Sequence, residues 1–224
     1  MTAARSGSRR LLALLQLASP GLPVGGFAYS QGLEKAIEDG VVHDAATARR
    51  WIEDLLTLSL ARIEAPLWLR AWDAWAAGDP AGFAHSNEEC LAARETAELR
   101  AETLQMGVSL VRVMPALGIA PPSCSPIAFP PAFAAACAAL DIEREAGLAA
   151  YLWAWAENQV LVAVKSVPLG QMAGQSLLAG LHTPIEASVR VASMLNDDEL
   201  GTCAVHYAIT SARHEGMYSR LYRS

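Results

Sequence analysis

The stretch GLAAYLWAWAENQVLVAVK, residues 147–165, decides the fold, because its apolar length admits three readings. As a membrane span it would carry Glu157, Asn158 and Gln159 at its middle, where lipid satisfies none of them cheaply. As a strand, VLVAV suits burial, but it continues a helical pattern and no second strand-like run exists to pair with it. What remains is a helix that is apolar almost all round over 143–165, and such a helix must be enclosed by others. The stretch therefore predicts an all-α bundle.

Helical signals continue on both sides. Upstream, Asp44 is placed to cap AATARRWIEDLLTLSLARI, in which Arg49 faces Glu53 and Arg50 faces Asp54 at i,i+4, while Trp51, Ile52, Leu55 and Leu56 form an apolar stripe. Pro66 interrupts, and Trp68, Trp72 and Trp75 then recur at the spacing of a buried helix face rather than a ligand cage. Residues 89–114, ECLAARETAELRAETLQMGVSLVRVM, read as one long helix ended by Pro115 and Gly118. Its apolar face holds Ala97, Ala101, Leu104, Val108 and Val111, and another face holds Arg94, Glu98 and Glu102. APPSCSPIAFPP, 120–131, reads as an ordered connector with Ile127 and Phe129 packed. Thr183, Pro184 and Glu186 spell a capping box for HTPIEASVRVASML. The expected architecture is a single-domain bundle of about eight to ten helices. A flexible segment covers 1–10, the helical domain 11–211 and a partner-binding tail 212–224.

Composition narrows the function classes. A chain of 224 residues with 53% hydrophobic content can bury roughly 70–75% of its unfolded surface, enough for a full core. A net charge of −6 repels nucleic acid and anionic membrane, which leaves protein partners as the better expectation. Cys90, Cys124, Cys137 and Cys203 are scattered, without CxxC or a histidine at ligand spacing, as suits reduced thiols in the cytoplasm. The opening MTAARSGSRR followed by LLALLQLA lacks a small-x-small cleavage site, so it reads as the frayed start of an amphipathic helix and not as a secretion signal.

The candidate sites are few. KSVPLGQMAGQ, 165–175, has its lysine before its glycines and no sheet ahead of it, so it is no phosphate loop of the Walker type. Ser166 instead is placed to cap a helix with Pro168 in its first turn, setting Gly170 and Gly174 on one face and Gln171 and Gln175 on the next. That pattern fits either a tightly packed internal helix pair or a protein-docking face. No G-x-S-x-G elbow accompanies the five histidines, and His214 and Glu215, being adjacent, point about 100° apart on a helix and cannot chelate one ion together. Neither a catalytic nor a metal site is expected. ARHEGMYSRLYRS places Met217, Tyr218, Leu221 and Tyr222 on one helical face with Arg213, Arg220 and Arg223 around it, a composition suited to an interface and expected to be ordered by a partner. SPGLPVGGFAYSQGLE, 19–34, forces an irregular turn before a short helix that runs to Asp39, with Gly40 past its end.

Four motifs in order, SPGLPVGGFAYSQGLE, RETAELRAE, KSVPLGQMAGQ and RHEGMYSRLYRS, make the chain resemble the urease accessory protein F (UreF) family over nearly its full length. It departs in the tail, where the family usually reads HET and LFRS and this chain has Gly216 and Tyr222. The resemblance implies an all-α maturation factor without catalysis of its own. Such a factor joins an accessory protein called D or H, recruits the nickel-carrying GTPase G, and helps nickel and carbon dioxide reach apo-urease. It implies a GTPase-facing surface at Lys165, Gly170, Gln171, Gly174 and Gln175. It also implies a tail held by the D/H partner through His214, Glu215, Tyr218, Ser219, Arg220, Leu221 and Arg223. Self-association as a homodimer follows too, with no cofactor and with nickel handled by the complex.

Two other function classes compete. An all-helical enzyme would use Lys165 with Glu157 or His206 as acid and base, and needs those groups converging in a concave site. A regulator of GTP hydrolysis would use Arg220 or Arg223 as an arginine finger, which is hard to reconcile with the same tail holding the D/H partner.

Overall fold

A computed structural model of the chain describes residues 2–224, with side chains from Gly7 onward. Among the described residues the chain forms eleven α-helices, four short 3-10 turns and no strand. The helices are α1 (Thr2–Ala18), α2 (Leu33–Glu38), α3 (Ala45–Leu58), α4 (Glu64–Ala77), α5 (Pro80–Ala92), α6 (Ala97–Val113), α7 (Phe129–Ala139), α8 (Arg144–Ser166), α9 (Gln171–Gly180), α10 (His182–Met194) and α11 (Val205–His214). The stretch 147–165 is thus helical, and the expectation of one all-α unit holds. Of the segment 1–10 expected to be flexible, Met1 lies outside the described residues and 2–10 begin α1. No helix among the described residues is long and apolar enough to cross a membrane.

α4 and α8 carry the bundle: α4 packs on α5, α7, α8 and α10, and α8 packs on α1, α3, α7, α9 and α10. The fully enclosed helix is α7 rather than α8. Every residue from Pro130 to Cys137 is buried, whereas α8 buries a broad stripe and leaves Leu161 and Lys165 exposed. α7 is rich in alanine, so its neighbours come close. At Gly107 of α6 an added Cβ would run into the Ile127 carbonyl oxygen and lie 2.9 Å from the Ala128 carbonyl carbon. Trp68 is wholly buried and its ring end would sit 2.8 Å from a Cβ at Gly147 of α8, while Trp72 and Trp75 are half-buried against the same core, so the tryptophan stripe faces inward.

Local rules explain many features of these helices and fail at three described here. Asp44 caps α3 as expected, with Thr47 N donating to its carboxylate at 2.8 Å, and Arg49 meets Glu53 at 2.7 Å. No Arg50–Asp54 ion pair accompanies it among the described residues. The run 89–114 is two helices, because Thr96 takes an extended conformation and its hydroxyl accepts from Leu99 N at 3.2 Å, starting α6 afresh. The capping box at Thr183 does not form. Leu181, buried and already in helical conformation, joins α9 almost directly to α10, which starts at His182 and leaves Thr183 nothing to cap.

The third failure matters most. On the face of α6 read as apolar, Ala97, Ala101 and Val108 are exposed and Leu104 and Val111 only half-buried, while Leu99, Glu102, Thr103, Gly107 and Leu110 are buried. Periodicity marked a face but not its direction.

Gly107→Ala is expected to cost about 1–3 kcal/mol, because the contact is with backbone that cannot rotate away. Urea denaturation measures it, and an unchanged midpoint would show that α6 and the start of α7 are not this close.

Candidate functional site

The site is built from the loop after α1, the first turn of α2, the N-terminal half of α6 and the tail after α11. Gly32, at φ 77, closes the loop in the left-handed region and leads into α2. A Cβ there would lie 3.3 Å from Ser211 N, so α11 crosses directly over the turn. Tyr29 and Ser30 are buried, and the Tyr29 hydroxyl donates to Gln105 Oε1 at 2.6 Å. The loop is therefore a fixed elbow, and it sets Glu34 facing inward from the first turn of α2.

Three carboxylates converge on the tail. Glu34 accepts from Leu221 N at 2.7 Å and from Tyr222 N at 3.1 Å, and one of its oxygens lies 3.2 Å from His214 Nε2. Glu98 stands 2.7 Å from His214 Nδ1 and accepts from Arg220 at 2.5 Å. Glu102 accepts from the Ser224 hydroxyl at 2.7 Å and from Gln31 Nε2 at 2.5 Å. Backbone bonds add to these: Ser30 N donates to Ser224 O at 2.9 Å, and Arg223 N donates to Ala28 O at 2.9 Å. Hydrogen bonds to charged groups contribute roughly 1.5–3 kcal/mol each, so the tail is fastened to its own domain.

The electrostatics follow from burial. Glu102 is buried, which pushes its carboxyl up to about 7, against the opposing hydrogen bonds from Ser224 and Gln31. Burial also raises the Tyr222 hydroxyl, with Ser166 beside it acting the other way. Tyr222 thus brings the tail to the last residue of α8. Next to the carboxylates lies a further ion pair, Arg94 with Glu64, whose other oxygen accepts from the Tyr151 hydroxyl at 2.6 Å.

The predicted tail helix is absent. α11 ends at His214, and 215–224 run irregularly along the 28–30 loop, with Gly216 just past the helix end. The tail packs on its own domain, where His214, Tyr222 and Ser224 are all buried. His214 in particular has no exposed surface and presents its ring to Glu34 and Glu98 alone. Glu215, Tyr218, Ser219, Arg220, Leu221 and Arg223 are exposed, Leu221 at 80% and Tyr218 completely.

The 165–175 segment is also built differently. Pro168 holds Val167 extended, at φ −104 and ψ 142, so Ser166 ends α8 instead of capping a new helix, and α9 starts at Gln171 with Gly170 as its N-cap. Gly170 faces open space, while Gly174 is buried and a Cβ there would lie 2.6 Å from Val164 Cγ2. The close approach is therefore to a side chain of α8, and only one of the two glycines makes it. Lys165, Gln171 and Gln175 are exposed. The packing reading thus holds at Gly174 alone, and the polar side chains face out.

An enzyme built on Lys165 loses its premise. Lys165 lies on open surface two turns beyond Glu157, and His206 packs edge-on against Trp51 with ring centroids 6.3 Å apart. A cavity of about 120 Å³ beneath the elbow is lined by Glu157, Glu64, Arg94 and Glu102, and by neither Lys165 nor His206. Among the described residues no three His, Cys, Asp or Glu side chains gather so as to hold a metal ion.

Sequence reasoning missed Glu34, Glu98 and Glu102 as site residues. The available signal was Glu98 and Glu102 on one helical face at i,i+4.

A family model described as UreF matches residues 42–182. Urease accessory protein UreF of Azoarcus sp. strain BH72 is 53% identical, over 96% of this chain and 95% of its own length. Its namesake in Cupriavidus necator is 50% identical, over 96% and 98%. A Bordetella bronchiseptica protein named bifunctional urease accessory protein UreEF is 49% identical over 96% of this chain but only 52% of its own length.

The raised carboxyl of Glu102 gives a signed expectation. Its folded form holds the proton more tightly than the unfolded chain, so its contribution is complete below about 4.5 and is lost as the pH rises through about 7. Glu102→Gln has no proton to lose. Native protein should therefore lose on the order of 1–3 kcal/mol relative to the variant between pH 5 and 8, measured by chemical denaturation at each pH. A constant gap would place Glu102 in water.

Proposed function

The chain belongs to the UreF family of urease accessory proteins, and from that premise we propose that it is a non-catalytic assembly factor of the cytoplasm. It joins the accessory D/H protein to the GTPase G, and the assembly delivers nickel and carbon dioxide to apo-urease. Nickel is the cargo of that assembly and not a tight ligand of this chain.

The observation that carries this reading is the contrast between inner and outer groups. The inward charged side chains are satisfied within the chain, Glu64 by Arg94, Glu34 and Glu98 by His214, and Glu102 by hydrogen bonds from Gln31 and Ser224. The side chains left facing outward are of the kind that anchor protein interfaces, Tyr218 and Leu221 on the tail and Lys165, Gln171, Met172 and Gln175 at α9. The tail meets the D/H partner and the α9 segment meets the GTPase. The two handles adjoin, since Tyr222 packs beside Ser166.

Self-association uses a third surface. Leu11, Leu12 and Leu15 of α1 and Phe27 of the elbow are exposed at 56–69%, apolar side chains whose cover is a second copy of the chain.

Removal of residues 217–224 leaves α11 and His214 in place. It is expected to abolish capture of the D/H protein while circular dichroism stays helical, and capture at full yield would end the tail assignment. Lys165→Ala or Gln175→Ala should weaken GTPase recruitment with an unchanged melting temperature; unchanged recruitment would move that contact elsewhere. Leu12→Arg with Leu15→Arg should lower the mass in sedimentation from dimer to monomer, and a persisting dimer would exclude α1 as its interface.

A further inference from the structure

The cavity of about 120 Å³ beneath the elbow has walls and charges that the outer surfaces do not use. An engineered cavity of about 150 Å³ takes up benzene, so a molecule of about one ring fits here. Five aromatic side chains line it: Phe129, Phe133 and Tyr151, whose ring centroids lie 5.4 to 5.8 Å apart, together with Trp155 and Phe27. Phe133 and Tyr151 are buried and Phe27 is exposed, so the cavity runs from a buried floor to a mouth at the elbow.

The charge of the lining is one-sided. Glu64, Glu102 and Glu157 stand against a single cation, Arg94, which is already paired with Glu64. Glu102 is met by neutral groups, Gln31 and Ser224, and burial raises the carboxyls of both Glu102 and Glu157. An anion would be repelled there. A metal ion needs closely spaced ligands, and no three His, Cys, Asp or Glu gather for one among the described residues. A cation with an apolar body answers both features: ring faces attract it through their quadrupoles, and carboxylates withdrawn from bulk water attract it more strongly than surface ones do.

We propose that this cavity binds an organic cation, an ammonium group on an apolar body of about one ring, with the ring among the aromatic side chains and the charge beside Glu102 and Glu157. None of the side chains assigned to the D/H or GTPase contacts lines the cavity, so the site stands apart from both.

Binding is coupled to Glu102. Facing this carboxyl are Gln31 and Tyr29 from the elbow, Arg94 from the turn ahead of α6, Glu64 from α4, Tyr207 from α11 and Ser224 from the chain end. Pushed up to about 7, it keeps its proton below that pH and is an anion above it. The cation prefers the anion, so its affinity rises with pH and its binding near neutrality releases protons.

The test is isothermal titration calorimetry of the full-length chain with benzylammonium, which stays charged from pH 6 to 8, and with its neutral analogue benzyl alcohol. At pH 8 benzylammonium should bind about tenfold or more tightly than the alcohol, and its affinity should rise on the order of tenfold from pH 6 to 8. Glu102→Gln should bind it more weakly at pH 8 and lose that rise. Absence of binding up to about 10 mM, or equal affinity for the alcohol, overturns the proposal. A rise kept in full by Glu102→Gln overturns the role of Glu102. If that variant does not fold, Glu157→Gln, at a half-buried position, decides. It should weaken benzylammonium several-fold and leave the alcohol unchanged, and an unchanged affinity for benzylammonium overturns the site.

Discussion

Three carboxylates turned inward, Glu34 from α2 and Glu98 and Glu102 from successive turns of α6, set the terms for the rest of this surface. A carboxylate removed from water is costly unless it is hydrogen-bonded, and these are met by His214, Arg220, two backbone N–H groups and Ser224. The dependence is mutual. Without the tail the acids would face open solvent, and without the acids the tail would have little apolar surface with which to hold itself down.

That mutual dependence explains the motifs as one device. SQGLE supplies the elbow and Glu34, RETAELRAE supplies Arg94, Glu98 and Glu102, and RHEGMYSRLYRS supplies their partners. KSVPLGQMAGQ joins through Ser166, beside the buried Tyr222. Stretches far apart in the chain thus meet at one end of the bundle, next to a core in which α7 is surrounded on all sides. Rigid packing behind the site gives the exposed tyrosine, leucine and glutamines a fixed spacing.

Some errors in reading the sequence are instructive because each has a physical cause. Thr183 carries the letters of a cap, yet Leu181 keeps the chain helical through the junction and nothing is left to cap. Met217, Tyr218, Leu221 and Tyr222 have helical spacing, but their order comes from hydrogen bonds to distant acids, which no local pattern records. On α6 the alanines and Val108 have the more burial-prone letters, yet Glu102 is the buried residue, because Ser224 and Gln31 satisfy it from far away in the chain.

From the amino-acid sequence alone came the helical class, the capped start of α3, the tryptophan stripe turned toward the core, the irregular turn at 19–34 and the four motifs of a urease accessory protein. These are legible because they depend on period, on cap chemistry and on residue types within a few positions of one another. Only the tertiary structure decided which face of α6 is inner, that His214 is buried, and that the tail is tied to its own domain. Those outcomes depend on acids and their partners separated by more than a hundred residues. Whether a glutamate is a solvated surface group or a buried anchor depends on what folds over it.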